Sequence, residues 1–181
     1  MTAEVIKISK VDHLRWIGIA PFAQYQSKMY PIELIQEVID QLSLTKKYKI
    51  FLFGGGQHET AVLNELSSQF ENVISVSGKM KLHDELNLIS HLDCMVSMDS
   101  ANAHLAAMQG VKTITIWGGT HPYAGFAPYN QPSETMILPD LSNYPNIPCS
   151  IYGNKVCKGY ENIMHSISPD EVVQKVIDIA S

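Results

Sequence analysis

Cys94-Met95-Val96-Ser97-Met98-Asp99-Ser100-Ala101-Asn102-Ala103-His104-Leu105-Ala106-Ala107 is an apolar run that breaks into small polar residues and resumes at helical spacing. It reads as strand, tight turn, helix. Asp99 and Ser100 are residue types that cap a helix, since their side-chain oxygens accept from the first free backbone N–H groups. The remaining N–H groups and the helix dipole suit an anion such as a phosphate. His104, four residues after Ser100, returns to the same face one turn on. Leu105 and Met108 are expected to face the sheet, with His104 beside that buried stripe.

An ordinary capped helix would show the same caps, so the flanking sequence decides. Val111-Lys112-Thr113-Ile114-Thr115-Ile116-Trp117 is a second buried-strand run, and it ends in Gly118-Gly119-Thr120-His121-Pro122. Two strands therefore end in polar or glycine-rich turns that carry histidines. In open α/β sheets ligands bind at such carboxyl ends.

Upstream, the same alternation repeats. Trp16–Ala20 reads as a strand, followed by a loop holding Lys28, then Pro31 at a helix start and Ile32, Ile35, Val38, Ile39 and Leu42 at helical spacing. Tyr48–Phe53 is the next strand. It runs into Gly54-Gly55-Gly56, a tight turn without the spacing of a dinucleotide fingerprint or the lysine of a P-loop. Glu59 stands at the following helix start, where a carboxylate can hold ribose hydroxyls. Val73–Val76 and a helix carrying Leu82, Leu86, Ile89 and Leu92 complete a βαβα series. The fold class is α/β, a Rossmann-like doubly wound parallel sheet. Proline-rich residues 118–150 are mostly loop with one short strand near 135–138, and Pro169 opens a last helix.

With 181 residues, 45% hydrophobic and 17% charged, the chain has room for one domain with a substantial core. Residues 1–14 read as a lead-in and 15–181 as the domain. A net charge of -5 and no basic cluster beyond Lys46-Lys47 exclude a nucleic-acid footprint. No apolar run is long enough to span a membrane and the start lacks a signal peptide's regions, so a cytoplasmic location is expected. Cys149 and Cys157 could pair or bind a metal, but in a reducing cytosol they are expected as free thiols. Cys94 is a core residue.

These segments resemble the C-terminal half of glycosyltransferase family nine, the ADP-heptose:lipopolysaccharide heptosyltransferases. The most specific parts are Gly78-Lys79-Met80, Val96 through Ala106, and Trp117-Gly118-Gly119-Thr120-His121-Pro122. The resemblance implies a two-domain GT-B enzyme in which this half binds the nucleotide sugar, ADP-heptose, and the other half binds a lipid-linked or oligosaccharide acceptor. It makes Lys28 a pyrophosphate contact, Glu59 a ribose contact and Met80 part of the base site. Asp99, Ser100, Ala101 and His104 would hold the diphosphate and sugar, with Gly119 and Thr120 beside them. The family usually has glycine where this chain has Ala101. The acceptor-activating aspartate belongs to the N-terminal half, so this chain alone is expected to bind and not turn over, in an enzyme that is cytoplasmic or peripheral at the inner membrane. No metal or other cofactor is implied. Lys28 is expected in an exposed loop, with little effect on stability. A stand-alone nucleotide-binding module and half of a nucleotide-sugar epimerase are the alternatives.

Overall fold

The computed structural model describes residues 13–180. Among these, the strands are β1 (Arg15–Ala20), β2 (Tyr48–Leu52), β3 (Val73–Ser75), β4 (Cys94–Met98), β5 (Thr113–Ile116) and β6 (Met136–Ile137). The helices are α1 (Ile32–Leu44), α2 (Gly56–Ser67), α3 (Leu82–Ile89), α4 (Ala101–Met108) and α5 (Pro169–Ala180). The strands form one sheet in the order β3-β2-β1-β4-β5-β6, and every pair is parallel. The expected doubly wound α/β architecture is therefore present. The reading of 1–14 as a lead-in falls, apart from His13 and Leu14, outside the described residues.

Strand parity explains why the sheet is covered on both sides. Ile17, Ile19, Ile50, Leu52, Cys94, Val96, Ile114 and Ile116 join one core with residues of α1, α2 and α5. Their neighbours Trp16, Ala20, Phe51, Phe53 and Met95 join a second core with α3, α4 and Val111. A strand buried on both faces carries apolar residues at every position rather than at alternate ones, as the runs in this sequence do.

The helix that follows β1 packs on the first face and the helix that follows β4 packs on the second. Because β1 and β4 are neighbours, their connections leave in opposite directions and open a crevice at the carboxyl ends of the two strands. At the opposite end, the Asp93 carboxylate accepts the Trp16 backbone N–H at 2.7 Å and meets Arg15 at 3.2 Å, fixing the β1–β4 register. Near the crevice, Tyr30 Oη donates to the Ile167 carbonyl at 2.8 Å and anchors the loop between β1 and α1.

Three local expectations change. Pro31 precedes α1 rather than occupying its first position. Met108 is 74% exposed. The face of α4 against the sheet is Ala103, Ala106 and Ala107, while Leu105 packs only partly against the second core. Cys149 and Cys157, expected as free thiols, form a disulfide, because the irregular chain between them folds back and brings their Cα atoms within 5.2 Å.

Candidate functional site

The crevice is built around one ion pair. Lys28, at the end of a 3-10 turn formed by Gln26–Lys28 after β1, places Nζ 2.6 Å from Asp99 Oδ2 beyond the end of β4. Their side chains are 11% and 5% exposed, so Lys28 is not held in an exposed loop as expected. The 3-10 turn folds the loop back over the sheet ends. The Ser27 carbonyl accepts the Gly119 N–H at 2.9 Å, and this holds the turn against the end of β5.

The ion pair also revises the expected caps. The backbone of Ser100 has the extended φ of -150° typical of an N-cap, but its side chain makes no capping hydrogen bond. Its Oγ lies 3.1 Å from Ser97 Oγ, and the Asp99 carboxylate is engaged by Lys28. The first N–H groups of α4, at Ala101 and Asn102, therefore lack a side-chain cap and face the crevice end of the helix. Open amides on a helix N-terminus beside a lysine favour a polyanion. His104 is half-buried one turn further along α4.

The remaining expected residues are distributed along the same edge of the sheet. Glu59, in the first turn of α2 beyond β2, accepts the Gly55 N–H at 2.7 Å. Its carboxylate thereby fixes the glycine turn. Met80 precedes α3 beyond β3 and packs partly against the second core. Gly119 is tied to Ser27 and, through its carbonyl, to the Cys149 N–H at 2.9 Å. Thr120 is fully buried and its Oγ1 donates to the Ile151 carbonyl at 3.0 Å, so Gly119 and Thr120 brace the loops around Lys28.

Sequence reasoning missed Phe126, Gly153 and Ser27. The Phe126 ring centroid lies 5.8 Å from Lys28 Nζ, a cation–π approach. Ser27 Oγ donates to the Gly153 carbonyl, and the methylene stem of Lys28 runs along Gly153. The one available signal was the pair of cysteines bracketing Tyr152-Gly153-Asn154. Among the described residues no group of three or more His, Cys, Asp or Glu side chains is placed to hold a metal.

His121 caps the 3-10 turn Pro122–Ala124, its Nδ1 accepting the Tyr123 N–H at 3.1 Å, and burial holds its pKa below the ordinary 6.5. The unfolded chain therefore binds this proton more tightly than the folded one. The contribution is complete above pH 6.5 and shrinks as the pH falls toward the depressed folded value. Urea denaturation at several pH values should show stability falling on acidification with a slope that is shallower in His121→Gln. Identical slopes would contradict this role.

The sequence profile of glycosyltransferase family 9 (heptosyltransferase) matches residues 7–152. Lipooligosaccharide heptosyltransferase 2 of Campylobacter jejuni is 25% identical over 165 residues, covering 88% of this chain and 49% of that protein. Lipopolysaccharide heptosyltransferase 3 of Escherichia coli is 28% identical over 118 residues, covering 61% of this chain and 34% of that protein. The chain thus spans about half the length of the curated relatives it matches first. Among solved structures, E. coli ADP-heptose lps heptosyltransferase II superposes with a TM-score of 0.69 at 20% identity, over 93% of this chain and 47% of that one. E. coli heptosyltransferase WaaC with ADP gives 0.69 at 20% identity, over 94% and 46%. The same fold, the matched profile and these relatives agree: the chain belongs to glycosyltransferase family 9.

Proposed function

We propose that residues 15–181 form the donor-binding half of a heptosyltransferase-type enzyme of lipopolysaccharide or related glycan synthesis, the donor being ADP-heptose. The observation that carries this reading is the meeting of Lys28 and Asp99 beside the uncapped start of α4. Support for the nucleotide comes from similar structures described with ADP and with ADP-2-deoxy-2-fluoro heptose. The acceptor and the base that deprotonates it belong to a second half of GT-B type, and this chain by itself binds without turnover.

The chemistry follows from charge. As the bond between sugar and diphosphate breaks, negative charge builds on the departing diphosphate. Donors already aimed at it stabilise that charge more than they stabilise the bound donor. Lys28 has three N–H donors, and Asp99 engages one side of the ammonium. The remaining donors and the α4 amides are available to phosphate oxygens. Asp99 also holds the lysine in place before the ligand arrives, which lowers the ordering needed on binding. Glu59 and Met80 take the ribose and base along the edge beyond β2 and β3, while His104 reaches the sugar, with Ser100, Ala101, Gly119 and Thr120 shaping the turn.

Calorimetric titration of the chain with ADP, GDP, UDP and adenosine tests the reading. ADP should bind tightest and adenosine at least about ten-fold more weakly than ADP, the size of one charge-assisted contact. Equal affinity for adenosine and ADP would remove the phosphate site, and a preference for GDP or UDP would remove ADP-heptose as the donor.

A further inference from the structure

The loop from Cys149 to Cys157 has no part in donor recognition as described, yet its contacts converge on Lys28. Ser27 donates its hydroxyl to the Gly153 carbonyl. Gly153 is buried at a φ of +71°, and a methyl added there would stand 2.5 Å from Lys28 Cε and 2.9 Å from Cγ. The lysine stem therefore lies directly on this backbone. Phe126, the ring near Lys28 Nζ, packs against Tyr152 of the same loop, with centroids 5.8 Å apart. Thr120 and Gly119 tie the loop's first half to the end of β5.

Within the loop there is neither helix nor strand, and Ile151, Tyr152 and Asn154 through Val156 are exposed. Such a segment buries too little apolar surface to hold one shape by packing alone. The covalent link between Cys149 and Cys157 closes it. Both cysteines are half-buried, within reach of a small dithiol. Cys94 is different: it is buried in β4, with its thiol pushed up to about 12 by that burial, and takes no part.

We propose that the Cys149–Cys157 pair is a thiol–disulfide switch on nucleotide binding. With the disulfide closed, the loop holds Lys28 in its diphosphate-binding position. With it reduced, the loop opens, Phe126 and Gly153 release the lysine, and affinity falls. The reductant is a dithiol. One of its thiolates attacks a sulfur of the pair, breaking the S–S bond and forming a mixed disulfide while the other cysteine leaves as a thiolate. The second thiol of the reductant then attacks the mixed disulfide. The protein gains two electrons and two protons as two thiols, and the reductant becomes a disulfide.

The switch rests on the donor-binding reading, and the experiment separates the two. ADP and adenosine are titrated calorimetrically into the oxidised chain, into the same chain reduced with dithiothreitol, and into Cys149→Ser/Cys157→Ser. Thiols are counted in each sample. Hydrogen–deuterium exchange follows residues 25–29 beside β1 and β4. The expected result is ADP affinity about ten-fold lower on reduction, as when the binding-competent fraction drops to about a tenth. The double variant should match the reduced chain in either buffer. Exchange should quicken at 25–29 and stay slow in β1 and β4. If reduction leaves ADP affinity within about two-fold while ADP still binds better than adenosine, the switch is overturned and the donor site stands. Unchanged exchange at 25–29, or exchange that quickens throughout β1 and β4, also overturns it, since the disulfide would then hold nothing at Lys28 or staple the whole fold. If the oxidised chain binds adenosine as well as ADP, both the donor site and the switch fall.

Discussion

Lys28→Ala is expected to weaken ADP binding by at least about ten-fold and to lower the unfolding free energy by about 3 kcal/mol. The first effect is loss of the ammonium that meets the diphosphate. The second arises because Asp99, only 5% exposed, is stranded without the partner it meets at 2.6 Å. An uncompensated buried charge is far more damaging than an absent pair. In a chain of 181 residues this corresponds to a fall of roughly 10 °C in melting temperature. The double variant Lys28→Ala/Asp99→Ala separates the two effects. It should recover most of the lost stability and none of the lost affinity, because the stranded charge is gone while the phosphate still lacks its lysine. Thermal unfolding and calorimetry on the same three proteins decide the matter. A single variant that melts like the parent would show that Asp99 finds other support, and a double variant that regains ADP affinity would show that the lysine does not touch phosphate.

Gly118→Ala is the second large effect. Gly118 follows Trp117 at the end of β5, and a methyl built there would collide with the Ser27 backbone carbonyl and stand 2.5 Å from Met164 Sδ. A methionine end can swing aside. The Ser27 carbonyl cannot move so freely, because it accepts the Gly119 N–H at 2.9 Å and belongs to the turn that carries Lys28. Alanine must push that turn away from the sheet, so stability and ADP affinity should fall together. Overpacking of this kind costs about 1–3 kcal/mol. Urea denaturation paired with ADP titration measures both. A variant that loses stability yet binds ADP normally would mean that Met164 absorbs the methyl and the turn stays in place.

The elements legible in the sequence are those set by near neighbours along the chain. Trp16–Ala20, Tyr48–Phe53 and Cys94–Ser97 are apolar at nearly every position, which only a strand covered on both faces tolerates, and their parity sorts residues into the two cores that form. The turns after Ser97 and Trp117 were legible as the carboxyl ends of β4 and β5, while the crevice itself opens between β1 and β4, a pairing distant in sequence. The pattern of α4 was harder to read. Alanines at 101, 103, 106 and 107 spread small apolar groups around the helix, so Met108 looked like a core residue and is instead exposed. Caps are inferred from short local spacing, and that rule put the Asp99 oxygen on α4. Lys28, far away in sequence, takes it instead. The same limit hid Phe126 and Gly153, whose importance exists only once the 118–160 loops have folded over the sheet ends. Cellular redox state argued for free thiols at Cys149 and Cys157, whereas loop geometry joins them.

The strand order β3-β2-β1-β4-β5-β6 also bears on how the molecule comes into being. β1 and β4 lie side by side at the centre, with Ile17 paired to Cys94, although α1, β2, α2, β3 and α3 all intervene along the chain. Closing so distant a pair carries a large loop entropy, and parallel sheets with such separations fold slowly. During synthesis, β1 can pair with β2 as soon as α1 has formed, but its other edge stays open until residue 98 has emerged. Lys28 follows one strand of that late pairing and Asp99 the other, both at its carboxyl end. The half of the sheet bearing the lysine thus waits with its apolar edge uncovered, and the ion pair at the crevice is a mark of completed assembly.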